Sequence, residues 1–89
     1  MAEAMRLLER MRRTRWGWTA SDLDRLYRSF GFEMDEGSKH RVYIHPRHTD
    51  LRATVSRSSG TLGPGYAQNA VSLIGTLMER EERGDAGSV

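Results

Sequence analysis

The sequence predicts an α+β domain ordered α-β-β-β-α, in which helices cover one face of a three-stranded antiparallel sheet, preceded by a short N-terminal helix. Three observations predict it. Apolar residues recur at helical spacing before Gly31 and again after Gly65. Between those stretches, from Phe32 to Ser56, the period changes to two. The turns inside that middle stretch are short, which favours an antiparallel meander with one apolar and one polar face. The apolar face has to be covered, and the two longer helices are the available cover.

Each element has its own signals. Ala4, Leu7, Leu8 and Met11 mark a short basic helix over residues 3–13, with arginines on its remaining face. Those arginines read as a solvated face rather than an RNA clamp. After Trp16-Gly17-Trp18 a second helix opens on a capping box with a shortened acid, either Thr19 with Asp22 or Ser21 with Asp24. Its stripe is Leu23, Leu26, Tyr27 and Phe30, and Gly31 supplies the stop. Phe32 and Met34 belong to the first strand, and Glu36-Gly37-Ser38 is a turn. In the second strand His40, Val42 and Ile44 alternate with Arg41, Tyr43 and His45, up to Pro46. In the third, Leu51, Ala53 and Val55 alternate with Arg52, Thr54 and Ser56. The expected core is Leu26, Phe30, Phe32, Val42, Ile44, Val55, Ile74 and Leu77. Residues 56–65 read as a loop unable to pack a core. A last helix runs from about Tyr66 to Arg83 on the stripe Ala67, Ala70, Val71, Ile74, Leu77 and Met78. This divides the chain into an N-terminal helical extension (1–15), the main domain (16–83) and a tail expected to be disordered (84–89).

Composition narrows the function classes. Apolar residues are 37% and charged residues 29% of 89, lean for a globular domain but not a disorder signature. There is no cysteine, so neither a disulfide framework nor a thiolate metal site can form. No apolar run approaches the roughly 20 residues that span a bilayer, and the start of the chain is no signal-peptide core. A cytoplasmic protein without a membrane partner is the expectation. The net charge of +2 is unevenly spread. Residues 39–57 hold Lys39, Arg41, Arg47, Arg52 and Arg57 against Asp50 alone, giving +4. Residues 1–18 hold five Arg against Glu3 and Glu9, giving +3. Such concentration suits a polyanion, with nucleic acid first, or else an Arg-rich solvated surface.

Three histidines, His40, His45 and His48, fall within nine residues. On a strand, positions 40 and 45 face opposite sides, and Asp50 is the only carboxylate nearby, so no metal site and no cofactor is expected. A single-histidine acid/base site fits better. RNA carries its own nucleophile in the 2′-hydroxyl, so cleavage needs a proton acceptor, a proton donor and cations at the phosphate. Lys39-His40-Arg41 sets an imidazole between two cations at a strand start. His40 can equally be a histidine at the rim of the core, since it shares parity with Val42 and Ile44. Tyr43, placed on the polar face with Arg41 and Arg52, can stack on a base or simply be a good strand former. No phosphate-loop or nucleophile-elbow motif is present, and the Gly-rich loop at 60–65 carries no nucleotide fingerprint.

The run Gly37-Ser38-Lys39-His40-Arg41-Val42-Tyr43-Ile44-His45-Pro46 resembles the G-S-x-H-x-hydrophobic-aromatic-x-H-P signature of HicA toxins. These are the small toxins of type II toxin–antitoxin modules. Trp18…Asp22-Leu23…Leu26…Phe30-Gly31-Phe32 is similar to their first helix and its exit, Leu51-Arg52-Ala53-Thr54-Val55 to their third strand, and Gly63-Pro64-Gly65-Tyr66 to the entry of their last helix. The resemblance covers about residues 16–80. It implies a metal-independent mRNA endoribonuclease on a fold related to double-stranded-RNA-binding domains. His40 would be its catalytic residue, and a HicB-like antitoxin would occlude the site. Ser38, Lys39, Arg41, Tyr43, Arg52 and Arg57 are the matching candidates for holding RNA or its phosphates. A non-catalytic RNA-binding module of the same fold is the alternative. Many relatives carry Pro-Arg-His after the third strand. Here Ser56-Arg57-Ser58 keeps only the arginine, which removes any auxiliary histidine there.

Overall fold

A computed structural model of the chain describes residues 2–37, 39–57 and 60–84. Its elements run α1 (Ala2–Arg13), α2 (Ala20–Ser29), β1 (Glu33–Glu36), β2 (His40–His45), β3 (His48–Ser56) and α3 (Pro64–Glu82). The strands form one antiparallel sheet in the order β1-β2-β3, as the change of period implied. Helices cover one face of it. The expected tail 84–89 lies outside the described residues except for Gly84.

Local chemistry explains the boundaries. Thr19 is the N-cap of α2. Its hydroxyl accepts the Asp22 amide at 3.2 Å, and the Asp22 carboxylate accepts the Thr19 amide at 3.0 Å, so two otherwise orphaned donors are satisfied reciprocally. Gly31 (φ +88°) turns the chain from α2 into β1. Pro64 opens α3, where its missing N–H costs nothing.

The core joins Leu7, Leu8 and Met11 of α1, Leu23, Leu26 and Tyr27 of α2, Tyr43, Ala53 and Val55 of the sheet, and Ile74 and Leu77 of α3. Helix α1 is therefore held by the same core as the rest, lying against α2 and α3. The segment after β3 differs from expectation. Leu62 is buried, its amide donates to the Trp18 carbonyl at 2.8 Å, and Thr61 bridges Thr19. One apolar residue and two backbone links suffice to fasten what composition alone reads as a free loop.

The facing of β2 is the main correction. Tyr43 and His45 are buried, whereas Val42 and Ile44 are half-buried on the opposite face, outside the core. A register shift between Ile44 and His45 accompanies it: β2 alternates unbroken, while in β3 both His48 and Leu51 are buried, so the exchange of faces falls in β3. Carried unbroken from the His45–His48 pair, the ladder would set Val42 opposite Leu51. Instead Val42 faces Thr54, and Tyr43 faces the core residue Ala53. An odd shift exchanges the two faces of a strand.

Candidate functional site

The β1–β2 turn builds the site. The Gly37 amide donates to the His40 carbonyl at 2.8 Å, and the Arg57 amide donates to the Lys39 carbonyl at 3.2 Å. Two backbone bonds thus fix the start of β2 on both sides. A Cβ on residue 37 would stand 2.9 Å from the His40 carbonyl oxygen, so only glycine permits this approach. The Arg57 guanidinium crosses the turn, donating to the Gly37 carbonyl at 2.9 Å and pairing with Glu36 at 3.0 Å.

His40 is exposed on the face of the sheet away from the helices, opposite Ser56. Its imidazole makes no hydrogen bond to any described residue. Lys39 beside it is also exposed and forms no ion pair among the described residues. Lys39, His40 and Arg57 are therefore brought together at one end of the sheet, which can present a proton-transfer group and two cations to an anion.

The other candidates separate from them. Ser38 lies outside the described residues. Arg52 is exposed on the same face as His40 but pairs with Ile44, four residues along β2 and so roughly 13 Å away by strand rise. Arg41 turns to the helix-covered face, its Nε buried and 3.8 Å from Glu36. Tyr43 is fully buried, which overturns its placement as an exposed stacking platform. Its ring stacks on Tyr27 at 4.8 Å and its hydroxyl donates to Asp24 at 2.6 Å. Burial first, then the bond to the Asp24 carboxylate, pushes the Tyr43 hydroxyl up to about 12. Asp24 also accepts from Arg28 at 2.9 Å.

Glu36 is the residue sequence reasoning missed. It faces both Arg57 and Arg41 and so tempers the positive charge next to His40. Its place at the end of β1, paired with Arg41 in register, becomes visible only once the hairpin register is known.

The remaining histidines lie at the β2–β3 hairpin, His45 closing β2 on the face opposite His40 and His48 opening β3. His45 is 2% exposed and its ring meets Phe32 edge-on. Burial, followed by the nearby Arg47 and His48, lowers its pKa, against a smaller opposing effect of Glu81. His48 is held on both nitrogens: Arg80 lies 3.3 Å from Nδ1, and Nε2 is 3.2 Å from Glu81. Arg80 in turn forks onto Asp50 at 3.0 and 2.8 Å, and this bond holds the Asp50 carboxyl down at about 2. No group of three or more potential metal ligands occurs among the described residues, and no described helix is long and apolar enough to cross a membrane.

Compared with family models, with curated proteins and with solved structures, the chain has no match.

Proposed function

We propose that this protein is a metal-independent, cytoplasmic endoribonuclease of the toxin type, with His40 as its catalytic residue. The observation that carries the reading is an exposed imidazole on a strand start whose backbone is fixed by two hydrogen bonds, with Lys39 and Arg57 beside it. The resemblance of residues 37–46 to the HicA signature supports it. His40 takes the proton of the RNA 2′-hydroxyl, and the 2′-oxygen then attacks the adjacent phosphorus. The bond from phosphorus to the 5′-oxygen breaks, and that oxygen takes its proton from water. The products are a 2′,3′-cyclic phosphate and a free 5′-hydroxyl. Lys39 and Arg57 offset the charge that builds on the phosphoryl oxygens. A HicB-like antitoxin would silence the protein by covering this end of the sheet.

The second reading, a non-catalytic RNA-binding module, is favoured by one feature: no described residue orients the His40 ring, as a general base is usually oriented. One assay separates the two. End-labelled single-stranded RNA is incubated with wild type and His40→Ala in excess EDTA. The nuclease reading expects cleavage by wild type only, at an unchanged folding midpoint. Binding without cleavage by wild type would establish the module instead.

A further inference from the structure

Among the described residues Trp16 is the only large apolar side chain left exposed, at 70%. Its neighbour Trp18 does the opposite: it is buried, and its indole N–H donates to the Thr14 carbonyl at 2.7 Å. Gly17 (φ +85°) separates the two rings. A Cβ there would meet nothing within 4 Å, so it is the left-handed backbone, not space, that calls for glycine. The turn thus anchors one indole in the core and leaves the other in solvent.

The exposed indole follows directly on an arginine face. Arg6, Arg10 and Arg13 lie at i, i+4 and i+7 along α1, opposite the buried stripe Ala4, Leu7, Leu8 and Met11. Arg6 and Arg10 also line a groove of about 210 Å³ together with Arg25 from α2, where Glu3 is the one carboxylate. Arg6, Arg13, Arg15 and Arg25 form no ion pair among the described residues, while Arg12 is neutralised by Glu9 at 2.7 Å. Arg10 lies over the Trp18 ring at 5.4 Å, which keeps its guanidinium at the surface beside the turn.

We infer that this face is a second binding site for single-stranded RNA, in which Trp16 stacks on an unpaired base and Arg6, Arg13 and Arg25 hold the neighbouring phosphates. The inference rests on the nucleic-acid part of the proposed function and not on catalysis. Along the axis Arg6 and Arg10 stand about 6 Å apart and Arg6 and Arg13 about 10 Å, a spread that spans neighbouring phosphates of an extended strand. Stacking on an exposed ring needs a base free of its partner, which selects single strands over duplex. A lipid surface is the poorer occupant, because the apolar stripe that an interfacial helix would insert is already buried in the core.

The test uses the whole chain and a mixed-sequence 2′-O-methyl RNA 12-mer, which has no free 2′-hydroxyl and cannot be cleaved. Tryptophan emission should be quenched on binding, because Trp16 is the solvent-facing indole. Trp16→Ala should weaken binding about tenfold, within the range for loss of one stacked base, and Trp16→Phe should restore most of it. Arg6→Gln with Arg13→Gln should reduce the steepness of the salt dependence by about 1.4, as expected for two lost phosphate contacts on a single strand. Unchanged affinity in Trp16→Ala overturns the site. So does equal quenching by polyglutamate, which would mark a protein partner, or by phosphatidylserine vesicles, which would mark a membrane. Loss of the Trp16 effect with cleavage intact refutes this site alone. Trp16-dependent binding without cleavage refutes only the nuclease.

Discussion

The His40 carbonyl oxygen accepts the Gly37 amide at 2.8 Å and lies 2.9 Å from where a Cβ on residue 37 would stand. The glycine of the G-S-x-H run is therefore there for close approach. Gly37→Ala must move backbone against backbone, which no side-chain rotation can relieve. We expect it to cost about 1–3 kcal/mol, the usual range for overpacking, and to slow RNA cleavage by displacing His40. Urea unfolding together with initial cleavage rates checks both. Unchanged values for both would show that the turn does not position the histidine.

Tyr43 belongs to the core and not to RNA. Tyr43→Phe keeps the stack on Tyr27 but removes the 2.6 Å bond to Asp24. A hydrogen bond to a charged acceptor typically contributes about 1.5–3 kcal/mol. Since Asp24 keeps Arg28, we expect a loss near the lower end of that range. RNA affinity should not change. A drop in affinity at unchanged stability would return Tyr43 to the binding surface.

What the sequence disclosed and what it hid divide along β2. The helices were legible because their stripes have only one plausible face: Ala4, Leu7, Leu8 and Met11 in α1, and Ala67, Ala70, Ile74 and Leu77 in α3, are buried as spaced. In β2 both parities carry hydrophobic bulk, Val42 with Ile44 on one side and Tyr43 with His45 on the other. Choosing the aliphatic pair follows ordinary hydropathy. The fold chooses the aromatic pair, because Tyr43 finds Tyr27 and Asp24 beneath it and a register shift near the hairpin turns Leu51, Ala53 and Val55 of β3 to the same side. Register shifts leave no mark in composition. For the same reason Arg41 looks like a partner of Arg52 in the sequence, and Glu36 looks like an ordinary turn acid. The grouping of Lys39, His40 and Arg57 was accessible because two of them are adjacent and the third follows the paired strand.

His45 gives stability a pH dependence of known sign. Its pKa is lowered in the fold from the ordinary 6.5, by burial first and then by Arg47 and His48. Between the lowered value and 6.5 the unfolded chain binds more protons, so stability rises with pH there. It is fully present above about pH 6.5 and declines as pH falls below that. Urea midpoints should drop from pH 7.5 to 5.5, and the drop should shrink in His45→Gln. An equal or larger drop in the variant would assign the dependence to other groups.

Arg41 and Arg52 provide a test of which cations face RNA. Both carry one charge within the same +4 stretch, but the register places them on opposite faces of the sheet. Arg52 is exposed on the face that holds His40. Arg41 has its Nε buried and looks toward Glu36. Arg41→Glu would set a second carboxylate against Glu36 in a partly desolvated space, where Arg57 already pairs with Glu36. It should cost on the order of 2 kcal/mol, as charge disruption at partly buried sites does. Arg52→Glu alters an open surface and should change stability by no more than about 0.5 kcal/mol. Its effect belongs in binding instead: weaker RNA affinity with a shallower salt dependence, and slower association of an acidic antitoxin with little change in its release. Melting curves and salt-titrated binding on the two variants read both halves. If Arg41→Glu is the one that loses RNA at full stability, the faces of β2 are assigned the wrong way round. Val42 and Ile44 would then have to be buried in place of Tyr43.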